Sequence, residues 1–442
     1  MTNPYVISGY VKGADFYGRR DLLGEITSGR CRATYVLGTR QIGKTSLLRQ
    51  VETQVPAIFL DLQWAGGRLE DLVRQATREV RRKRRNWPWL PPEEELPNDD
   101  LFHLLELLDE RANESSQRLW VLMDEAEIWV RIARANPEVL HRLRGTVQNC
   151  SALRVVLAAA KRLSEANILT GETGSPFLSG FAVRYLGPLS QQNGAALLRQ
   201  EQGPAQVAVE DDLLAHLLSL TGGHPLLLQL LGERLYEDGW LRPPTEGDLV
   251  GVLDRAVKTG VFPHDFAALA DPERTILRAL SSGQPLPAGT DLAYLHGLTA
   301  LGILRHEGDG YAIGNDFFAR WLREQADWEA KSEVSVEGTL AVYTQPEPGT
   351  ALTETEEQAV QLRRVLVARF DKSELCTLCF EMGIEAENLP GETREALARE
   401  LVAHCVRHRQ IPKLVEVGQR LRPDIPWPVP TYDALEDEGC EP

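Results

Sequence analysis

The chain has 442 residues, more than one compact core sustains and enough for roughly two to four domains. Its 64 acidic residues against 48 basic ones leave a net charge of −16, which disfavours a broad electrostatic grip on nucleic acid and leaves room only for a local basic face. No apolar run reaches the roughly 18 residues of a membrane span. Six cysteines over this length make no disulfide framework, and Met1-Thr2-Asn3-Pro4-Tyr5 has no secretory pattern, so a cytoplasmic protein is expected.

Asp15-Phe16-Tyr17-Gly18-Arg19-Arg20 reads as a turn opening a helix over 21–27. A strand over 35–37 then runs into Gly38-Thr39-Arg40-Gln41-Ile42-Gly43-Lys44-Thr45-Ser46, a complete Gly-x-x-x-x-Gly-Lys-Thr phosphate loop. Its glycines permit torsions and a close approach that side chains forbid, so successive N–H groups converge on phosphate oxygens. The helix that follows offers its positive end to the same anion. In this reading Lys44 reaches the β- and γ-phosphates of ATP, or the β-phosphate of ADP, and the Thr45 hydroxyl ligates Mg²⁺.

A strand over 57–62 and a helix over 69–85 continue the alternation of a doubly wound α/β sheet. The helix carries Arg78, Arg81, Arg82, Lys83, Arg84 and Arg85, compatible with a solvated helix end or with a patch for nucleic acid or a partner. Trp87-Pro88-Trp89-Leu90-Pro91-Pro92 and three glutamates read as a loop with exposed aromatics. After a helix over 100–110, Leu119-Trp120-Val121-Leu122-Met123 is a buried strand ending in Asp124-Glu125. Downstream of a phosphate loop this is a Walker B box: Asp124 holds the metal and Glu125 polarises the attacking water as general base.

A helix over 137–148 leads to a strand over 153–158 whose end, Ala159-Ala160-Lys161-Arg162, offers no hydroxyl or amide to a γ-phosphate. Lys161 or Arg162 is then the candidate contact, the alternative being a solvated strand end. Val183 to Ser190 forms the last strand of the sheet, with Ser190 capping the next helix, and the pattern turns helical from about 190. A helix over 213–220 stops at Thr221-Gly222-Gly223-His224-Pro225, a turn in which Pro225 opens the following helix. Two helices within 271–301, a hairpin turning at Glu307-Gly308-Asp309-Gly310 and a last amphipathic helix compose a winged helix with an acidic tip, which favours an intramolecular role over DNA reading. Residues 330–352 read as a linker. Beyond them Leu362, Val365, Leu366 and Phe370, and then Leu375, Leu378, Cys379 and Met382, mark apolar helix faces. Cys376, Cys379 and His404-Cys405 hint at zinc, but they lie within this apolar pattern, so core thiols are expected. The tail from 425 is acidic and is expected to be disordered.

Together the phosphate loop, Asp124-Glu125, Leu186-Gly187-Pro188-Leu189-Ser190 and Gly223-His224-Pro225 resemble the STAND branch of AAA+ ATPases. The resemblance implies that Phe16, Gly18 and Arg19 line an adenine pocket and that His224 and Pro225 are lid contacts on bound nucleotide. It implies a switch between a closed ADP form and an open, oligomer-competent ATP form. The alanines at 159 and 160 depart from that family's polar sensor. Leu375-Cys376-Thr377-Leu378-Cys379-Phe380-Glu381-Met382-Gly383, Asn388-Leu389-Pro390-Gly391, Ala396 to Val402 and Leu421-Arg422-Pro423-Asp424 resemble the effector-associated, death-fold-like domains of bacterial immune proteins, which pair with like domains on separately encoded effectors, often proteases.

The expected fold class is therefore multidomain α/β plus all-α: a P-loop AAA+ core with a parallel sheet (1–190), a helical lid (191–265), a winged helix (266–329), the linker, a death-like helical bundle (353–424) and the acidic tail (425–442). The expected function is an ATP-binding, slowly hydrolysing signalling switch of a bacterial conflict system, homo-oligomeric when active, with an effector protein as partner and no membrane. The alternatives are a DNA-associated AAA+ loader and a scaffold that binds ATP without hydrolysing it.

Overall fold

Strands buried on both faces read as continuous apolar runs, and the runs at Ala33–Leu37 (β1), Ala57–Asp61 (β2), Leu119–Asp124 (β3) and Leu153–Ala159 (β4) are buried almost throughout. In the computed structural model, with residues 3–64, 68–97, 99–136, 138–160, 177–204, 206–325 and parts of 362–422 described, they pair in parallel. Ala182–Tyr185 (β5) adds to β1, giving a five-stranded sheet in the order β2-β3-β4-β1-β5. The chain divides into two compact units, Met1–Ser335 and Val336–Pro442.

The period-two alternation along each strand sends side chains to two separate cores. Val36, Phe59, Leu122 and Val156 meet Leu23 and Ile26 of Arg20–Ser28 (α1) and Leu47, Leu48 and Val51 of Lys44–Glu52 (α2). Tyr35, Leu60, Val121 and Leu157 face the other way, toward Leu69–Lys83 (α3), Leu101–Glu114 (α4) and Glu138–Asn149 (α6). Between β3 and α6 lies Ile128–Ala135 (α5), a helix that the sequence reading passed over. The N-terminus of α4 is held by Asp100, whose Oδ1 accepts from Phe102 N at 2.8 Å.

In the basic run, Lys83 Nζ donates to Glu52 Oε1 at 2.6 Å, Arg82 to Glu79 at 2.6 Å, Arg81 pairs with Glu93 at 3.0 Å and Arg84 Nε donates to Leu90 O at 3.1 Å; one expectation for this half is revised. Trp87 and Trp89 are not exposed aromatics but pack against the main core beside Leu90, with Lys83 Nζ 5.1 Å from the Trp87 ring. Loop composition carries no information about which neighbour will cover a side chain.

From Ser190, whose Oγ accepts from Asn193 N at 3.3 Å, the chain becomes helical. Gln191–Leu198 (α7), Asp211–Thr221 (α8), Pro225–Leu235 (α9), Glu246–Lys258 (α10) and Val261–Ala267 (α11) make up the helical segment expected from the sequence to be the lid, interrupted by the short hairpin of Tyr236–Glu237 (β6) and Trp240–Leu241 (β7). Asp271–Ser281 (α12), Leu292–Ala300 (α13), Leu304–Glu307 (β8), Gly310–Ile313 (β9) and a helix over 316–325 (α14) follow. The hairpin closes over Gly308-Asp309 with Glu307 opposite Gly310, as its sequence predicts.

The Gly222-Gly223 turn is more than a link between α8 and α9. Both residues have positive φ, and a Cβ would lie 2.1 Å from the Gly314 carbonyl at position 222 and 2.4 Å from the Leu189 carbonyl at 223. The turn therefore clamps the backbone of the β9 hairpin to the end of the core, and only glycine fits.

The described part of the second unit holds one apolar core. Leu375, Leu378, Cys379 and Met382 of Lys372–Met382 (α15) meet Leu414, Val415 and Val417 of Ile411–Leu421 (α16), together with Leu362, Leu366, Phe370 and Cys405. Cys379 and Cys405 are buried thiols in this core, and burial pushes Cys405 up to about 12. Lys161, Arg162, the linker, Asn388 to Gly391, His404, the Cys376 side chain and the acidic tail lie outside the described residues.

The strongest ionic knot of the lid is Asp248, only 3% exposed. It completes a capping box with Thr245 and accepts from Arg242 Nη1 at 2.7 Å and Arg234 Nε at 2.9 Å. These bonds, that from Arg242 foremost, hold its carboxyl far below the usual carboxylate range. A depressed folded pKa adds stability above the unfolded pKa that is lost as pH falls through the folded value. Asp248→Asn is expected to lower stability by about 1–3 kcal/mol at pH 7, with the gap to wild type narrowing below about pH 4, as followed by urea unfolding across pH.

Candidate functional site

The phosphate loop takes its shape from two left-handed residues, Gln41 at φ 57° and Gly43 at φ 104°. A Cβ on Gly43 would meet nothing within 4 Å, so the space above the loop is open, as an anion cradle requires. Gly38 is a glycine for another reason: a Cβ there would sit 2.8 Å from the Ile42 side chain and 3.1 Å from the Leu186 carbonyl. Lys44 is buried and turns back over the loop, its Nζ donating to Thr39 O at 2.9 Å and Gly38 O at 3.2 Å. An ammonium held by two loop carbonyls is already placed over the cradle.

Residues 40–46, with Phe16, Arg19, Glu125 and Pro225, line one cleft of 730 Å³, within the range of cofactor sites. Thr45 Oγ1 donates to Asp124 Oδ2 at 2.6 Å, so the two proposed metal ligands, on α2 and β3, are brought together. Burial pushes the Asp124 carboxyl up to about 6, against the hydrogen bond from Thr45. A hydroxyl beside a carboxylate that burial disfavours is a donor set suited to a hard divalent cation, which restores the ionised form. Glu125, at φ 51°, bends off the end of β3 into the cleft. Ala160, at the end of β4, lines it too, and no hydroxyl stands there.

Arg19 sits in the left-handed region and joins the phosphate loop to the end of the core, donating to Pro188 O at 3.0 Å and Ile42 O at 3.5 Å. Burial lowers it to about 10, so it remains charged. Gly18 does not line the cleft; a Cβ there would lie 2.9 Å from the Asn193 amide, so it serves the close approach of α7. His224 also lies elsewhere. It lines a small separate cavity with Thr39, Thr221 and Phe318, behind the phosphate loop, and burial pushes its pKa down to about 4. Neither ring nitrogen has a hydrogen-bond partner among the described residues. Pro225, next in sequence, does face the cleft.

Three parts of the site escaped sequence reading. Residues 6–11 form one wall of the cleft, strapped to α9 by Val6 N donating to Gln229 Oε1 at 3.0 Å and to α2 by Val11 N donating to Ser46 Oγ at 3.1 Å. Tyr5 anchors the strap in the space left by Gly232, where a Cβ would lie 2.3 Å from its ring, and its hydroxyl donates to Leu198 O. Glu127 joins Glu125 in the cleft, its pKa raised by burial and by the Glu125 charge. Asp265 of α11 reaches in from the lid, its Oδ1 accepting from Arg40 N at 2.8 Å. Only Glu127 carried a signal, as a second acid just past Asp124-Glu125.

Residues 362–423 match the family model described as effector-associated domain 7. The chain thus carries a parallel α/β fold with a phosphate loop in its first unit and, in its second, a segment that matches an effector-associated domain. The fold of the first part is similar to that of a Walker-type ATPase of Pyrococcus abyssi, at 18% identity and a TM-score of 0.55 over 72% of this chain and 99% of that one. The ORC2 protein of Aeropyrum pernix in its ADPNP-ADP complexes matches at 14% identity and a TM-score of 0.45 over 74% and 98%. The RuvB branch-migration motor of Thermotoga maritima matches at 15% and 0.30 over 67% and 92%. No curated protein matches the chain. No helix among the described residues is long and apolar enough to cross a membrane.

Removing the ammonium from this cradle, in Lys44→Ala, is expected to weaken ATP and ADP binding by about 10- to 100-fold, the worth of a charge-assisted hydrogen bond, as measured by titration calorimetry. Asp124→Asn is expected to remove most of the Mg²⁺ dependence of that binding while retaining Mg²⁺-free affinity.

Proposed function

We propose that the chain is a nucleotide-operated signalling switch of a bacterial conflict system that binds and slowly hydrolyses ATP and recruits a separately encoded effector, such as a protease, through its C-terminal segment. The observation that carries this reading is the composition of the cleft. Its walls come from the α/β core (residues 40–46 and Glu125) and from the lid (Pro225, Gln229 and Asp265), with Val6 N bonded to Gln229 and Arg40 N to Asp265 across it. What occupies the cleft is thereby coupled to where the lid sits. Effector recruitment is supported by the effector-associated match at 362–423.

Within the cleft Lys44 would neutralise the β- and γ-phosphates, Thr45 and Asp124 would hold Mg²⁺, whose part is to offset phosphate charge, and Glu125 would take the proton of the attacking water. Apolar Ala160 where a polar sensor is usual supports slow turnover. ATP at 1,000 times its dissociation constant favours the competent state by about 4 kcal/mol, short of the roughly 5.5 kcal/mol of a full switch, so self-assembly or an activating partner supplies the difference. The helices and hairpin of 271–325 act in this reading as a winged helix turned inward, consistent with the clamp of Gly222 on Gly314. Pairing of Arg81, Arg82 and Lys83 with glutamates offsets part of the cationic run on which the DNA-loader reading draws.

With ADP the protein is expected to elute as one small species; with ATP and Mg²⁺, and more completely in Glu125→Gln, as a discrete oligomer by light scattering. A size that never changes sinks the switch. Deleting 353–424 is expected to leave nucleotide affinity intact and abolish co-elution with an effector that carries a like domain; loss of both together would count against separate switch and adaptor parts.

A further inference from the structure

Asp265 is the one lid carboxylate among the described residues that lines the cleft, and it is bonded to the phosphate loop itself. The bond, Arg40 N to Asp265 Oδ1 at 2.8 Å, joins residues 225 apart in sequence. Arg40 follows Thr39, whose carbonyl holds the Lys44 ammonium, and precedes Gln41, one of the two left-handed residues that shape the cradle. The carboxylate therefore occupies a loop donor at the end where Lys44 Nζ sits, the end that receives the terminal phosphate. Burial pushes Asp265 up to about 7, against the Arg40 N–H and the positive charges of Lys44 and Arg40, which favour its ionised form.

One amide hydrogen makes one good bond, so a phosphate oxygen and a carboxylate oxygen compete for it. A nucleoside diphosphate ends at the β-phosphate. A triphosphate adds further negative charge beside Asp265 in a partly desolvated cleft, where like charges repel far more strongly than in water. We propose that Asp265 is a specificity-determining residue of this cleft, which favours a nucleoside diphosphate over a triphosphate by holding the Arg40 N–H and setting a carboxylate at the γ-phosphate end. The inference rests on the nucleotide-switch reading above. It adds to that reading a named contact that a triphosphate must displace, carried on α11, the helix through which the lid touches the loop.

The test is the ratio of dissociation constants for a non-hydrolysable ATP analogue and for ADP, both with Mg²⁺, in the full-length wild type, Asp265→Asn and Asp265→Ala. Asp265→Asn keeps shape and an acceptor oxygen while removing the charge, and thermal unfolding of each variant reports whether it folds. The ratio is expected to fall about ten-fold or more in Asp265→Asn, and at least as far in Asp265→Ala, with ADP affinity changing by about three-fold or less. A general loosening of the lid would weaken both nucleotides together and leave the ratio unmoved. An unchanged ratio in a folded Asp265→Asn protein that still binds ADP overturns the proposal and leaves the nucleotide switch standing. If the wild type binds neither nucleotide, or if Lys44→Ala binds ADP as the wild type does, the cleft is not a nucleotide site and both readings fall.

Discussion

Past Gly38, whose N–H bonds to Ala159 O, and Arg40, whose N–H bonds to Asp265, the backbone amides of the phosphate loop form an array of donors beside the cleft, and the first unit is arranged to hold it in shape. Such an array is unfavourable in isolation, because neighbouring N–H dipoles point the same way and the left-handed torsions at Gln41 and Gly43 disfavour most side chains. It persists because β1 and α2 grip both ends within a sheet buried on two faces, Gly38 packs without a side chain against Leu186, and Lys44 bridges the loop from inside. The Thr45 to Asp124 bond ties the start of α2 to the tip of β3, so the cradle and the Asp124 carboxylate are held together.

Against this rigid half the lid is held by a few specific contacts. Asp265 bonds to Arg40, Leu189 N donates to Gly223 O, and the glycine turn at 222–223 presses on backbone from both the core end and the β9 hairpin. The strap of residues 3–11 crosses from α9 to α2 and closes the side of the cleft. The hydrogen bonds among these are directional and replaceable by a ligand in the cleft, whereas the apolar core that the lid shares with one face of the sheet resists gradual deformation.

The effector-associated segment is built on different physics. Its described helices α15 and α16 offer an apolar core and ion pairs such as Arg420 with Glu381, at 2.6 Å, and no cluster of metal-ligating groups occurs among the described residues. Stability there comes from aliphatic burial, with thiols as core atoms. Any role of such a segment in recognition rests on its surface.

The sequence by itself determined the phosphate loop, the strand that ends in Asp124-Glu125, the order of strands and, α5 apart, of helices in the core, and the apolar faces of the C-terminal helices. Each of these is a local pattern: spacing within one loop, a run within one strand, a period within one helix. Tertiary structure alone decided that His224 lies behind the loop while Pro225 faces the cleft, that Trp87 and Trp89 are covered, that residues 6–11 are a wall of the site, and that Asp265 meets Arg40. These depend on neighbours brought together from distant parts of the chain, and no periodicity marks a lone aspartate on a seven-residue helix as the partner of a backbone amide 225 positions away. Spacing encodes the geometry of a continuous segment; which segments close over one another is set by how their surfaces pack.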